Sequence, residues 1–139
     1  MTKILTFKKR KDFLRVAKGF YVATHNMVLQ ATRSLYEKND FFVGYTATKK
    51  IGNAVVRNLS KRRLRAVAHE NLIQFGLPNI DYVFIAKKTT HSCNFEELTK
   101  DTIYAIKKIN KNFNQNIEND STSTDGATDN NDNITQENQ

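Results

Sequence analysis

Apolar residues recur with helical spacing in three segments of the chain and with strand-like spacing in three others. The predicted helices are Lys8–Lys18, a long segment that starts at Asn53 and reaches about Phe75, and Asn94–Asn110. The predicted strands are Val22–Ala31, Phe41–Ala47 and Tyr82–Ala86. The last of these is almost continuously apolar, as expected for a strand that is buried on both faces.

Polar and conformationally special residues mark the ends of these segments. The side-chain oxygens of Asn53 and Asn94 can accept a free backbone N–H, so each is expected to cap the helix that follows it. Gly19 and Gly76 are placed to end helices, and the polar segment Tyr36–Asp40 predicts a turn between strands. In the first helix, Phe13, Leu14 and Ala17 are the expected apolar positions.

The order is a helix, two or three strands, the long helix, a strand and a final helix. We interpret it as α-β-β-β-α-β-α, with about four strands and three helices. Helices and strands that alternate in this way are typical of an α/β (α+β) two-layer sandwich, in which helices cover a small sheet. With 139 residues, the chain is long enough for one modest hydrophobic core.

The charge divides the chain into two parts. Residues 1–111 contain all 22 Lys and Arg against eight acidic residues, so their net charge is +14; residues 112–139 contain six acidic residues and no basic ones. Such a basic domain suggests a polyanionic partner, because cations that neutralise phosphates release condensed counterions. The segment 112–139, rich in Asn, Asp and Thr, has too few apolar residues to offset the entropy cost of ordering and is predicted to be a disordered tail.

Other sequence features mainly exclude function classes. Cys93 is the single cysteine, which excludes an internal disulfide and fits a reducing compartment, and the chain's cysteine and histidines lack zinc-ligand spacing. No apolar run approaches the roughly 18 residues of a membrane-spanning helix, and no secretory signal is visible. We therefore expect a cytoplasmic protein that has no membrane contact and no obligate protein partner.

The segment Lys49–Ala66, KKIGNAVVRNLSKRRLRA, concentrates positive charge within the predicted long helix. At about 100° per residue, five polar side chains share an arc of about 140°. We call these residues the cationic face: Arg57, Asn58, Lys61, Arg62 and Arg65. Val56, Leu64, Val67, Ala68 and Phe75 fall in the neighbouring arc, from about 260° to 20°, and are expected to pack on the sheet, while Arg63 lies outside both groups.

The segment Lys49–Arg65 resembles the signature of the bacterial ribonuclease P protein component, approximately K-K-x-G-N-A-V-x-R-N-R-x-K-R-x-x-R. The chain matches this signature at Lys49, Lys50, Gly52, Asn53, Ala54, Val55, Arg57, Asn58, Lys61, Arg62 and Arg65, and weaker similarity extends over Leu5–Lys108. Two positions depart from the family pattern. Leu59 replaces a usual arginine, and Gln30 replaces a frequent aromatic.

The resemblance implies a ribosomal-protein-like fold with a left-handed β-α-β crossover, an exception to the usual right-handed preference. It also implies that the chain is the protein subunit of an endonuclease that removes the 5′ leader from precursor tRNA. In this family the catalytic RNA subunit holds the catalytic Mg²⁺. The partners are then that RNA and precursor tRNA, and no side chain of the protein is catalytic. The cationic face with Lys49, Lys50 and Asn53 would bind the RNA.

A cleft between the first helix and the sheet would hold the single-stranded leader. Single strands bind to aromatic stacking surfaces beside cations, which makes Phe13, Phe42, Tyr45 and Lys9 the candidates. Because Phe42 and Tyr45 are three residues apart on a predicted strand, they should face opposite sides of the sheet. Lys8, Arg10 and Lys11 are candidates to extend the contact with phosphates.

Two alternatives remain. A general or ribosomal RNA-binding module could use the same cationic face on other RNA. A protein-only metal nuclease would need clustered carboxylates to hold divalent ions, and the acidic residues of the basic part are scattered along the sequence.

Overall fold

The computed structural model describes residues 2–35 and 39–121, with side chains as far as Asn114. In these residues a five-stranded sheet is combined with three α-helices. The elements in chain order are β1 (Ile4–Thr6), α1 (Arg10–Ala17), β2 (Phe20–Ala23), β3 (Met27–Arg33), β4 (Phe41–Thr46), α2 (Ala54–Phe75), β5 (Ile80–Ala86) and α3 (Phe95–Ser121), with a short 3-10 helix at Lys49–Ile51 before α2.

The strand order across the sheet is β1-β4-β5-β3-β2. β4 is parallel to β1 and β5, whereas β3 is antiparallel to β5 and β2. The two parallel strands β4 and β5 are adjacent and are joined through α2, which forms the expected β-α-β crossover. The handedness of this crossover stays a prediction.

The main core lies between one face of the sheet and helices α2 and α3. Alternate residues of β4 and β5 point into it, among them Val43, Tyr82 and Phe84, and α2 contributes Leu64 and Leu72. Helix α1 lies on the opposite face, where Val16 packs with Phe7 and Val83 in a smaller cluster. Tyr82 supports the main core with a buried hydrogen bond from its hydroxyl to Asn110 Oδ1 (2.8 Å).

The predicted fold class is confirmed, and the predicted helix starts are close to those observed. Asn53 caps α2, because its Oδ1 accepts from the Val56 N–H (3.0 Å), and Asn94 Oδ1 accepts from the Glu96 N–H (2.7 Å). The apolar positions predicted in α1 were only partly right. Val16 is the buried residue of α1, whereas Leu14 is half exposed.

Two predictions about the strands were wrong. The chain has a fifth strand, β1, whose three residues are mostly exposed and owe their extended form to parallel pairing with β4. The predicted strand Val22–Ala31 is instead a hairpin of β2 and β3. Thr24 closes its turn, since its N–H donates to the Met27 carbonyl (2.8 Å) and its Oγ1 accepts from the Met27 N–H (3.2 Å).

The last helix extends past its predicted end at Asn110 and past the predicted start of the tail at Asn112. Helix α3 continues to Ser121, and Asn112 and Phe113 are buried. The Phe113 ring packs edge-on against Phe20 of β2, with ring centroids 5.1 Å apart. The remainder of the predicted tail, residues 122–139, and the first three residues of the predicted turn, 36–38, lie outside the described residues.

Candidate nucleic-acid interface

The cationic face lies along the first half of α2 as the helical spacing predicted. Arg57 and Lys61 are half-buried, and Asn58, Arg62 and Arg65 are exposed. The Asn53 cap starts the helix at a defined residue, and Gly52 precedes it with φ +151°, a conformation that L side chains rarely adopt. Lys49 and Lys50 are exposed on the 3-10 helix just before α2, next to the start of the face.

Arg63 does not belong to the cationic face, which confirms the prediction from helical spacing. Its guanidinium donates to the Thr90 carbonyl (2.6 Å) and to the Cys93 carbonyl (2.7 Å), and it lies over the Phe95 ring at 5.5 Å. Arg63 therefore joins α2 to the loop between β5 and α3, and its charged hydrogen bonds stabilise the fold.

The side chain of Tyr45 supports Arg65. Tyr45 stacks on Phe84 with centroids 5.9 Å apart, and the Arg65 guanidinium lies 5.3 Å from its ring centroid. Tyr45 is only 6% exposed, and its buried hydroxyl has no hydrogen-bond partner among the described residues. Burial raises the pKa of Tyr45 to about 12, against the opposing effect of the Arg65 charge, so Tyr45 stays neutral at ordinary pH.

A groove of about 330 Å³ brings together residues from α1, β4 and α2. It is lined by Thr6, Phe7, Lys8, Phe13, Tyr45, Lys61 and Arg65. An adjoining depression continues it past Arg10 and Thr46. The groove exists because β1 pairs with β4 only as far as Val43, which leaves the end of β4 without a neighbouring strand on that side. Cations from two separate helical regions thus face one aromatic surface.

Phe13 is shared between the groove and the small core cluster. Its ring packs edge-on against Phe7, with centroids 4.8 Å apart, and it is half-buried. Gly44 of β4 lies beneath both rings. A Cβ at Gly44 would be 2.6 Å from the nearest ring atoms of Phe13 and Phe7, so the close approach requires glycine.

The other two predicted leader residues lie in a different cavity. Phe42 points to the α1 face of the sheet, opposite to Tyr45 as expected from strand alternation. Phe42 and Lys9 help to line a cavity of about 450 Å³, which also includes Lys8, Lys11, Arg15 and Asp81. The structure therefore groups Phe13 and Tyr45 with Lys61 and Arg65, and it separates them from the pair of Phe42 and Lys9.

This second cavity contains an ion pair that sequence reasoning missed. Arg15 donates to Asp81 Oδ2 (2.7 Å), and the Ser34 hydroxyl donates to Asp81 Oδ1 (2.6 Å). Asp81 is 1% exposed, so the guanidinium compensates a buried carboxylate. The signal in the sequence was an aspartate within the otherwise apolar segment IDYVFIA, Ile80–Ala86.

The two positions that depart from the family signature are both ordered. Leu59 is half-buried on α2. Gln30 is 7% exposed and is the central residue of β3, with Tyr21 and Val83 as its register partners.

No group of three or more His, Cys, Asp and Glu side chains among the described residues is arranged to hold a metal ion. Within the described part of the chain, every helix is too short or too polar to span a membrane.

The fold and the groove indicate the class of protein. They describe a small basic α/β protein in which an ordered cationic helix borders an aromatic groove, an arrangement typical of proteins that bind nucleic acids. The family model described as Ribonuclease P matches residues 1–110, and the chain belongs to this family, whose members are protein components of a tRNA-processing ribonucleoprotein.

Individual relatives agree with this assignment. The chain is 40% identical over 108 residues to the ribonuclease P protein component of Ruegeria pomeroyi, an alignment that covers 76% of this chain and 86% of the relative. For the ribonuclease P protein component of Streptococcus agalactiae the identity is 35%, over 77% of this chain and 95% of the relative.

Solved structures show the same fold. The RNase P protein of Staphylococcus aureus superposes with a TM-score of 0.61 at 27% identity, over 73% of this chain and 92% of that one. The RNase P protein from Thermotoga maritima, at 21% identity and a TM-score of 0.63, covers 74% of this chain and 96% of its own and supports the fold. The family predicted from Lys49–Arg65 is confirmed.

Proposed function

We propose that this chain is the protein subunit of a ribonuclease whose catalytic subunit is RNA. It binds that RNA and the 5′ leader of precursor tRNA, so that the RNA removes the leader and leaves the mature 5′ end. The observation that carries the proposal is the groove in which Phe13 of α1 meets Lys61 and Arg65 of α2.

The cationic face supplies the contact with the catalytic RNA. Arginine guanidinium groups match phosphate oxygens with two parallel hydrogen bonds, and lysine supplies a mobile point charge. In the described residues, the ion pairs within 4.0 Å are those of Arg15 with Asp12 and Asp81. Arg57, Arg62 and Arg65 therefore have no carboxylate partner there and present their charge to a ligand. Asn58, which can both donate and accept, suits a 2′-hydroxyl.

The groove beside this face suits a single strand. Binding of single strands combines aromatic surfaces with cations and tolerates many base sequences. Phe13 offers the partly exposed ring. Tyr45 stacks on Phe84 and lies under the Arg65 guanidinium, so we assign it the role of holding Arg65 at the groove. Phe42 and Lys9 would meet a strand only if it continued past α1 into the second cavity.

In this proposal the RNA subunit catalyses the cleavage. The Mg²⁺ held by that RNA would supply activation of water and stabilisation of developing negative charge. The chain's own residues bind phosphates and the leader, and thereby raise the affinity for substrate and for Mg²⁺. The proposal includes a cytoplasmic location and needs no second protein.

Reconstitution tests the proposal. The purified chain alone should leave precursor tRNA intact, and addition of the cognate ribonuclease P RNA at low Mg²⁺ should give cleavage at the mature 5′ end. The RNA alone at the same Mg²⁺ concentration is the control and should cleave much more slowly. Cleavage by the chain without RNA would contradict the proposal and favour a protein nuclease. Binding to RNA without stimulated cleavage would favour a general RNA-binding module.

A further inference from the structure

Helix α3 carries a second set of cations that is separate from the cationic face of α2. Between its second and fifth turns, four lysines and a tyrosine are exposed, and at about 100° per residue they share an arc of about 100°. We call them the lysine stripe: Lys100, Tyr104, Lys107, Lys108 and Lys111. The buried residues of α3, such as Leu98, Ile106 and Ile109, lie on the opposite side of the helix.

The nearby acidic residues do not neutralise this stripe. Glu96 and Glu97 are in the first turn of α3, where carboxylates favour the helix dipole. Asp101 accepts hydrogen bonds from the backbone and side-chain nitrogens of Asn26, at 3.2 and 3.0 Å. Within the described residues no carboxylate lies within 4.0 Å of the four lysines, so none of them is held in an ion pair.

Aromatic rings contact two of these lysines. Lys107 Nζ lies 4.7 Å from the ring centroid of Phe75, and Lys108 Nζ lies 5.5 Å from that of Tyr104. Lys108 also donates to the Tyr104 hydroxyl (3.1 Å), although Tyr104 itself is 53% exposed. At about 1.5 Å per residue, the lysines span about 16 Å along the outer, convex side of the helix. A convex line of point charges suits the phosphate backbone of a folded RNA better than it suits single bases, which need a concave stacking site.

The position of the stripe selects which RNA it contacts. Helix α3 is on the face of the sheet opposite to α1, and α1 lines both the groove and the second cavity. A leader held against α1 is therefore remote from the stripe. We infer that the lysine stripe binds the phosphate backbone of a second segment of the large RNA subunit, distinct from the segment on the cationic face. This inference rests on the proposed function.

The test is the salt dependence of RNA binding by full-length variants. Lys107→Gln combined with Lys111→Gln should weaken binding of ribonuclease P RNA about tenfold at moderate salt. It should also lower the slope of log K against log salt by about one to two, because up to two phosphate contacts are lost. Lys3→Gln combined with Lys88→Gln is the matched control, since both lysines are exposed and lie outside the stripe and the cationic face. The ratio of precursor to mature tRNA affinity in the holoenzyme should not change.

Three results would overturn the inference. An unchanged slope would mean that the stripe faces solvent, and an equal loss in the control would mean a general charge effect. A gain in affinity would mean that the stripe is occupied within the chain, for example by the acidic residues after Ser121. Arg57→Ala, measured alongside, separates the two hypotheses. If Arg57→Ala weakens RNA binding and the stripe variant does not, only the inference about the stripe fails. If neither variant weakens RNA binding, the proposed function fails as well.

Discussion

Gly44 is the residue whose identity the groove depends on most directly. Its hydrogen is the only side-chain atom that fits beneath the rings of Phe13 and Phe7. The ring of Phe13 thereby lies low enough over the sheet to pack in the small cluster and still line the groove beside Lys61.

Gly44→Ala should destabilise the fold and move Phe13. The added methyl group must displace packed rings, which typically costs about 1–3 kcal/mol. Denaturant unfolding measures the loss, and a weaker affinity for precursor tRNA, relative to mature tRNA, would report the displaced ring. Ala23→Val adds volume at an exposed strand position and should change stability by less than about 0.5 kcal/mol. An equally small effect at Gly44 would show that the rings can move aside freely.

Helix α2 performs two tasks on different sides of one element. Its buried residues, including Leu64, Val67 and Leu72, hold it against the sheet, and this packing outweighs the repulsion among neighbouring cations. Arg62 and Arg63 are adjacent in sequence, yet Arg62 is exposed on the cationic face and Arg63 is hydrogen-bonded to the loop before α3.

Alanine substitutions of Arg62 and Arg63 should therefore affect different properties, RNA binding for Arg62 and stability for Arg63. Arg63→Ala removes charge-assisted hydrogen bonds to two backbone carbonyls and should lower the free energy of unfolding by about 2 kcal/mol. Arg62→Ala should change that free energy by less than about 0.5 kcal/mol but weaken RNA binding. Thermal unfolding and RNA titration on both variants test the assignment. It is wrong if Arg62→Ala is the more destabilising change.

At the scale of the whole molecule, the dominant feature is a large positive charge displayed on an ordered framework. The sheet and its two faces place the cations of α2 beside α1 and those of α3 away from it. Binding that depends on phosphate neutralisation should then fall steeply as salt rises.

Arg57→Ala and Arg65→Ala should each make this dependence shallower. Removal of one phosphate contact should lower the slope of log K against log salt by roughly 0.7–0.9. The binding constant for ribonuclease P RNA, measured across a salt series, gives the slope, with Lys3→Gln as an exposed control. A parallel shift without a change in slope would indicate that these arginines act through folding or through neutral hydrogen bonds.

Much of this picture was predictable because it depends on local patterns. Helical spacing located α2, placed its cations on one side and excluded Arg63, and the cap at Asn53 followed from its side chain. The strand β1 was not predictable in this way, since three mostly exposed residues become a strand only when β4 pairs with them. The extension of α3 past Asn112 was missed because the polar composition there hides a buried Phe113 that packs on Phe20.

Local patterns were enough to predict the class of elements, the division of charge along the chain, the cationic face and the family. All of these follow from spacing and residue type over short stretches. Three arrangements became visible in the folded chain alone. Phe13, Tyr45, Lys61 and Arg65 share one groove, Phe42 and Lys9 lie in another cavity, and Tyr45 supports Arg65. The physical reason is that strand order and the side of the sheet on which a helix packs arise from long-range pairing and burial, which no local pattern specifies.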